Sequence, residues 1–357
     1  MPLFLVDVNR PSLFGQATAT IDDATMARFH THIYEGCEFG CAYCAGWGTS
    51  NRPLNESVRL MPNIAERAAT ELQTLGPDDV VGIVAESDPY QPAEQRFRRT
   101  RAVLTVLAQH AQPVVVMTKS PTVLEDVELL RHIHDRRFAM VVVTLVSHVP
   151  DLQNKFEDKV ASYAERLTLI TALKRQGLPV GVALMPLVPY INDTDYALGI
   201  VLQQVAAAGA DFVYWDFLEM PNIRHRNRMN DVMVRVGNYP ISYLRELYVD
   251  GPTIDERYRR ERDAAVYRLC DDARISVRLP YEMYRGRFGA AYSVAHLIAQ
   301  QASRDRLQGR DVLARQGSAL AAEVLAGGWP IERLKNHPAY PLFRDSVSTE
   351  TTKNRVV

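Results

Sequence analysis

The sequence has few cysteines, no long apolar run and no surplus of either charge. Its 357 residues include 4 Cys, and 41 basic residues balance 42 acidic ones for a net charge of -1. The absence of an apolar run of about 18 residues excludes a membrane-spanning helix, and the 47% hydrophobic content excludes a disordered chain. The N-terminus lacks the features of a secretion signal, so we expect a cytoplasmic protein.

The balanced charge also disfavours a protein whose main task is to bind a nucleic-acid backbone, since that task usually requires a cationic surplus. Two basic runs, at 96–101 and 257–262, contain or adjoin acidic residues at helical spacing and are typical of solvated helix faces. The run at 224–228 lacks such neighbours. It is the best candidate of the three for binding an anion.

Three of the four cysteines, Cys37, Cys41 and Cys44, lie within the eight residues CEFGCAYC. Reduced cytosolic thiols do not form a disulfide framework, so this clustering indicates a metal centre. Zinc is one alternative, but a structural zinc site closes with four protein ligands, and Cys270 lies far along the chain. A 4Fe-4S cluster on three cysteines leaves one iron open to another ligand, and we favour this interpretation.

The segment EGCEFGCAYCAG resembles the cluster loop of the radical S-adenosyl-L-methionine (radical SAM) enzymes. In that family the open iron is chelated by the amino and carboxylate groups of S-adenosyl-L-methionine (SAM). The reduced cluster then cleaves SAM to methionine and a 5′-deoxyadenosyl radical. The resemblance implies that Tyr43, just before the third cysteine, packs beside the adenine.

Short apolar runs alternate with amphipathic helices along most of the chain. The runs are continuously apolar, which is typical of parallel strands covered by helices. Six strands are predicted at 28–34, 80–85, 113–118, 138–146, 179–185 and 211–217, with helices at 62–75, 92–110, 120–134, 158–176 and 193–208. We therefore predict an α/β fold, and the resemblance implies a partial (β/α)6 TIM-type barrel with a C-terminal helical extension.

This pattern divides the chain into four segments. Residues 1–27 are an N-terminal extension, and 28–218 are the barrel core. Residues 219–290 are predicted to hold a capping insertion, a last helix at 253–271 and a last strand at 275–279, because long insertions at this end of a barrel often cover the site. Residues 291–357 form a helical appendage, with helices at 292–303 and 311–326 and a frayed tail.

Functional side chains of parallel α/β folds gather where the strands end. The resemblance assigns Ser87 and Asp88, after the second strand, to the amino group of SAM. The stretches SDPYQPAE, MTKS and GVALMPLVP resemble, more narrowly, the spore photoproduct lyase branch of the family. That likeness assigns Lys119 and Ser120 to the SAM carboxylate, although Ser120 is equally suited to cap the helix that follows.

Two further positions are the nearest matches for contacts with the ribose and the adenine of SAM. They are Thr144 and Met185, at the ends of the fourth and fifth strands. Met185 is also a typical core residue.

The sequence departs from spore photoproduct lyases at one important position. Those enzymes carry a hydrogen-donor cysteine beside the second-strand motif, where this chain has Ala85 and Glu86. Cys270 precedes the last predicted strand and is expected at the opposite end of the barrel, as a buried structural thiol. DNA repair by that mechanism is therefore not expected.

These features predict an enzyme that abstracts a hydrogen atom from a small-molecule substrate in a biosynthetic pathway, with a flavodoxin or a ferredoxin as electron donor. Glu86, Tyr90 and Glu219, at the predicted mouth of the barrel, are candidates to orient the substrate or move a proton. Two alternatives stay open. One is a nucleic-acid repair or modification enzyme that uses the 224–228 run, and the other is a non-catalytic metal-binding regulator that would not need Lys119.

Overall fold

A computed structural model describes residues 3–6, 11–49, 55–83, 87–237 and 241–353. Six parallel strands form a curled half-barrel in the order β2-β5-β6-β7-β8-β9, and a small second sheet has the order β1-β4-β3. The strands are β1 Leu3–Val6, β2 Phe29–His30, β3 Tyr34–Glu35, β4 Ser57–Leu60, β5 Val81–Ile83, β6 Val114–Thr118, β7 Ala139–Leu145, β8 Val180–Leu187 and β9 Phe212–Phe217. The predicted partial barrel is thus confirmed.

Helices connect the strands and complete the chain. They are α1 Gly46–Thr49, α2 Ile64–Glu71, α3 Pro92–Phe97, α4 Arg99–His110, α5 Val127–Arg136, α6 Pro150–Phe156, α7 Tyr163–Arg175, α8 Asp195–Ala208, α9 Ile223–Val236, α10 Ile241–Glu246, α11 Glu256–Asp272, α12 Ala290–Leu307, α13 Asp311–Leu325, α14 Ile331–Lys335 and α15 Tyr340–Lys353. Short 3-10 turns cover Leu72–Thr74, Pro121–Asp126 and Tyr281–Met283. Within the described ranges, no helix is long and apolar enough to cross a membrane.

Three predicted elements differ from the structure in ways that matter for the site. The strand predicted at 28–34 is two short strands, because β2 pairs with β5 whereas β3 pairs with β4 in the other sheet. The helix predicted at 92–110 is interrupted at Arg98, which has a left-handed φ of 49°. An additional helix, α6, precedes α7, which begins at the Ser162 capping box.

Alternate residues of the central strands pack on opposite faces of the sheet. Val141 and Val143 belong to the large core formed with the crossover helices, whereas Met140 and Val142 pack in a second core with the C-terminal helices. The C-terminal helices therefore cover the face that the crossover helices leave open. Gly181 allows the close packing there, since a Cβ atom at this position would lie 2.4 Å from Cζ of Phe212.

The prediction of a strand at 275–279 is wrong. This stretch pairs with the sheet only through one isolated bridge, between Phe212 and Ser276. Its side chains make local and long-range polar contacts instead. Oγ of Ser276 donates to the carbonyl of Arg278 at 2.5 Å, and the buried Arg278 guanidinium bonds with Asp23 and Ser303. Part of the predicted frayed tail lies in α15, which runs to Lys353, and residues 354–357 lie outside the described residues.

Candidate functional site

The three clustered cysteines lie on a tight loop directly after β3. Gly36 and Gly40 have φ values of 86° and 59°, which L side chains rarely adopt. The amide of Gly40 donates to the carbonyl of Cys37 at 3.2 Å, and the amide of Cys44 donates to that of Cys41 at 3.1 Å. These two turns bring all three cysteines to the wall of one cavity.

Burial disfavours the thiolate form of Cys37 and Cys41 unless a positive charge lies close to the sulfur atoms. Burial, with Asp88 adding to it, raises the pKa of Cys37 to about 12, and burial raises the pKa of Cys41 well above its ordinary value. A bound metal centre supplies the positive charge that keeps thiolates deprotonated. The buried thiols therefore fit an iron–sulfur cluster.

The three cysteines line the cavity as separate ligands. No group of three His, Cys, Asp or Glu side chains in the described part of the chain is arranged to hold one metal ion. A 4Fe-4S cluster binds each thiolate at a different iron, so its ligands need not converge on one point. The three thiols can therefore each bind a separate iron of one cluster.

The cavity lies between the cysteine loop and the C-terminal ends of β6 and β7. Its walls carry three residues besides the predicted ones, namely Phe39, Met117 and Thr118. The lining residues are Cys37, Phe39, Cys41, Tyr43, Cys44, Asp88, Met117, Thr118, Lys119 and Thr144. Seven predicted site residues thus meet at one place, where the loop after β3 faces the common edge at which the parallel strands β5, β6 and β7 end.

Asp88 joins two neighbouring strand ends at this cavity. Its Oδ1 accepts from the hydroxyl of Thr118 at 2.6 Å and from the amide of Tyr90 at 2.9 Å, and its Oδ2 accepts from the amide of Lys119 at 2.8 Å. Burial raises the pKa of Asp88, although Lys119 and these hydrogen bonds oppose the shift. Asp88 therefore fixes the backbone from which Lys119 extends.

Lys119 brings a positive charge to the cavity. Its Nζ lies 5.9 Å from the centroid of the Tyr43 ring. Burial lowers the pKa of Lys119, but the negative charges of Cys41, Glu157 and Asp88 more than compensate and raise it. The amine stays protonated and suits a carboxylate such as that of SAM.

A buried ion pair lies next to Tyr43 and Lys119. It holds the Tyr43 hydroxyl by a hydrogen bond and acts on Lys119 through its negative charge. Glu157, which follows α6, is 0% exposed and accepts hydrogen bonds from the hydroxyl of Tyr43 and from the guanidinium of Arg166. Nη1 of Arg166 also donates to the carbonyl of Thr144 at 2.8 Å. Burial alone would raise the pKa of Glu157, but Arg166 and Lys119 lower it below its ordinary value. Sequence reasoning missed this pair, because no motif links Glu157 to Tyr43 or Arg166.

Thr144 offers an unused polar atom to the cavity. Its Oγ1 is buried and has no hydrogen-bond partner in the structure. A buried hydroxyl without a partner is costly, so a polar group of a bound ligand is expected to satisfy it. This observation fits the ribose contact that the resemblance implies.

Three predicted cofactor contacts lie outside the cavity wall. Oγ of Ser87 donates to the carbonyl of Tyr34 at 2.6 Å, and Oγ of Ser120 accepts from the amide of Thr122 at 3.3 Å as the cap of a 3-10 turn. Met185 packs against the second core. Their roles in cofactor binding stay predictions, and Ser120 shows the alternative capping role.

The three predicted substrate residues are also away from the cavity wall or beyond the described residues. The hydroxyl of the buried Tyr90 donates to Asp126 at 2.9 Å, and Glu219 is exposed in the loop after β9. Glu86 lies outside the described residues, together with Ala85. Their roles toward a substrate stay predictions.

Helix α9 covers the cysteine loop, in the segment predicted to cap the site. Nε2 of His225 is 2.9 Å from the carbonyl oxygen of Tyr43, and the Arg228 guanidinium lies 3.6 Å from the Trp47 ring centroid. Nε1 of Trp47 in turn donates to the carbonyl of Cys41 at 2.9 Å. Cys270 is fully buried on α11, as expected for a structural thiol.

The chain is similar to known proteins in both sequence and structure. The family model described as the radical SAM superfamily matches residues 31–198. An uncharacterized protein of Mycobacterium tuberculosis is 30% identical over 266 residues, which are 69% of this chain and 76% of that protein. An uncharacterized protein of Methanocaldococcus jannaschii is 23% identical over 264 residues, 68% of this chain and 90% of that protein.

Among solved structures, spore photoproduct lyase complexed with dinucleoside spore photoproduct is similar with a TM-score of 0.58. The similarity covers 75% of this chain and 79% of that one at 14% sequence identity. At this identity the likeness shows a shared fold.

Proposed function

The chain belongs to the radical SAM superfamily, and from this premise we propose that it abstracts a hydrogen atom from a small-molecule substrate in a biosynthetic pathway. It is an enzyme of a family that uses a 4Fe-4S cluster and SAM. When bound, the reduced cluster and SAM together supply a 5′-deoxyadenosyl radical. The observation that carries the proposal is the single cavity in which three buried cysteines, Lys119 and the unpartnered Oγ1 of Thr144 meet.

We assign the roles of the lining residues from their positions. Cys37, Cys41 and Cys44 hold the cluster, and Lys119 binds the SAM carboxylate by a charge-assisted hydrogen bond. Asp88 holds the backbone amide of Lys119 and is available to the SAM amino group.

The remaining walls bind the nucleoside and exclude water. Tyr43 offers an aromatic face to the adenine, with its hydroxyl anchored on Glu157, and Thr144 offers its hydroxyl to the ribose. Phe39 and Met117 are the apolar part of the wall, which limits access of water to a reactive intermediate.

The balanced charge supports a small molecule over a nucleic acid as substrate. We propose a flavodoxin or a ferredoxin as the source of electrons, and the reducing cytosol as the compartment, since the three cysteines of the loop are needed in their reduced form. Family membership makes the protein an enzyme, so the non-catalytic regulator is set aside.

The test uses anaerobically reconstituted protein with dithionite and SAM, and detects 5′-deoxyadenosine by mass spectrometry. We expect four irons per chain, as the cluster formula requires, and deoxyadenosine in the wild type. Cys41→Ala should lose both, whereas Cys270→Ala, a cysteine outside the loop, should keep both. Copurified zinc without deoxyadenosine would show that the three cysteines form a structural site and that the proposal is wrong.

A further inference from the structure

Three arginines of α9 lie on one face of the helix. Arg224, Arg228 and Arg235 are spaced by four and seven residues, which places them within about 40° of one another around the axis. Arg224 and Arg235 are exposed, and Arg228 is half-buried between them. We call these three residues the arginine face of α9.

The arginine face reaches the cysteine loop through two contacts. The Arg228 guanidinium stacks on Trp47, whose indole donates to the carbonyl of Cys41. Nη2 of Arg228 also lies 3.5 Å from the carbonyl oxygen of Gly40. A protein bound to this face would therefore sit one side-chain layer from the backbone of the cluster loop.

The face is separate from the cofactor cavity. Among the described residues that line the cavity, none comes from α9. A partner bound to the arginine face would leave the cavity open to SAM and substrate. Such a partner could pass an electron to the cluster without touching the substrate atom from which hydrogen is removed.

We propose that the arginine face of α9 is the docking site of an acidic one-electron carrier protein. The carrier loses one electron and the cluster gains it, with no bond made or broken. The proposal rests on the proposed function, since the cluster must be reduced before SAM is cleaved. Opposite charges steer such short-lived encounters and raise the association rate.

The composition of the face favours an acidic protein over a nucleic acid. The three arginines lie along one helix of 14 residues with Asp231 between Arg228 and Arg235, so they form a short cationic patch and not the long continuous row that a phosphate backbone would require. Ile223 and Val234 are 68% and 66% exposed on the same helix and add apolar contact area. Exposed apolar residues on the side of the helix next to the cations suit a small protein interface.

The test measures how fast the cluster is reduced by two different donors. The donors are an acidic flavodoxin in its hydroquinone form and photoreduced 5-deazariboflavin, a small uncharged reductant. The variant Arg224→Glu/Arg235→Glu reverses two charges of the face, and Arg257→Glu/Arg268→Glu reverses two exposed charges on α11 as the matched control.

We expect the Arg224→Glu/Arg235→Glu variant to be reduced by flavodoxin about tenfold more slowly than the wild type, and the salt dependence of the wild-type rate to disappear. Reduction by deazariboflavin and the α11 control should be unchanged. An unchanged flavodoxin rate, an equal loss with deazariboflavin, or an equal loss in the control would overturn the proposal.

Two further measurements separate docking of a carrier protein from a failure of the proposed function and from binding of a nucleic acid. Deoxyadenosine formed with deazariboflavin shows that the proposed function holds, so a failure with flavodoxin alone concerns docking. Binding of a labelled oligonucleotide, followed by fluorescence anisotropy, supplies the competing outcome. If the charge reversal abolishes oligonucleotide binding and leaves the flavodoxin rate intact, the face binds nucleic acid and the proposal is wrong.

Discussion

Replacing Glu157 by glutamine should lower the free energy of unfolding by about 3–5 kcal/mol, the usual cost of removing one partner of a buried ion pair. Glutamine keeps the shape of the side chain and can still accept a hydrogen bond, so the substitution isolates the charge. Glu157 is 0% and Arg166 is 1% exposed, which leaves little solvent to compensate the charge that remains.

The surrounding contacts prevent Arg166 from moving toward water. Its Nη1 donates to the carbonyl of Thr144 at 2.8 Å, and its Nε donates to that of Ala161 at 3.0 Å. Lys119 also loses a negative neighbour, which adds to the cost. The folded protein therefore keeps the unpaired charge of Arg166 buried, and the whole loss appears in the free energy of unfolding.

The effect has a defined pH dependence. The folded-state pKa of Glu157 is lowered, because Arg166 and Lys119 outweigh the burial that would raise it. The stability from the carboxylate is thus complete above the pKa of the unfolded chain and is lost as the pH falls through the folded-state value. The Glu157→Gln protein should lose less stability in acid than the wild type.

A double-mutant cycle in urea, followed by circular dichroism on protein with equal iron content, measures the coupling. Arg166→Met should be destabilised much as Glu157→Gln is. The double variant should be more stable than the summed single effects predict, by about 2 kcal/mol, since it leaves no lone buried charge. Additive losses would refute this account of the pair.

Three further outcomes follow from single positions. Gly181→Ala should cost about 1–3 kcal/mol in urea unfolding, because the new Cβ would meet Phe212. The control Gly199→Ala, in α8 with nothing within 4 Å, should stabilise by about 0.5–1 kcal/mol, and equal effects would contradict the packing argument. Burial lowers the pKa of His296 from 6.5 to about 3, so stability should fall as the pH drops from 6.5 toward 3, by about 1.4 kcal/mol per pH unit, and His296→Leu should flatten this slope. Lys119→Met should weaken SAM binding about tenfold in anaerobic calorimetry with the iron content unchanged, whereas the exposed Lys335→Met should bind normally.

The sequence was informative where one regular element decides the position of a side chain. Asp88, Lys119 and Thr144 each follow or end a parallel strand, and such strands end at a common edge. The same rule did not bring Ser87 to the cavity wall. It fixes where the backbone leaves the sheet, whereas the direction of the side chain depends on a partner, here the carbonyl of Tyr34.

Glu157 could not be predicted because it depends on contacts between distant segments. Hydrophobic periodicity suggested one helix over 158–176, whereas the structure has α6 and then α7 with Glu157 between them. Its partners Tyr43 and Arg166 are 114 and 9 residues away. Neither spacing is a motif, so only the folded chain shows that the three side chains meet.

The cysteine loop is held in place by segments that contribute nothing to its sequence motif. Between Gly36 and Ala45 the loop has no helix or strand in the described structure, so its polar backbone groups need outside partners. Gln91 bonds both the amide of Glu38 and the carbonyl of Gly36, and the carbonyl of Phe156 accepts from the amide of Ala42.

Helix α9 supplies the third support through its contacts with Tyr43, Gly40 and Trp47. The geometry of the cluster ligands therefore depends on Gln91 just before α3, on α6 and on α9 together. Substitutions at Gln91 or His225 should lower iron retention without a contact to any cysteine sulfur, an effect that iron analysis after gel filtration can measure against Cys270→Ala. Helix α9 also carries the arginine face. A carrier protein docked there would therefore contact one of the three segments that support the loop of the cluster that the carrier reduces.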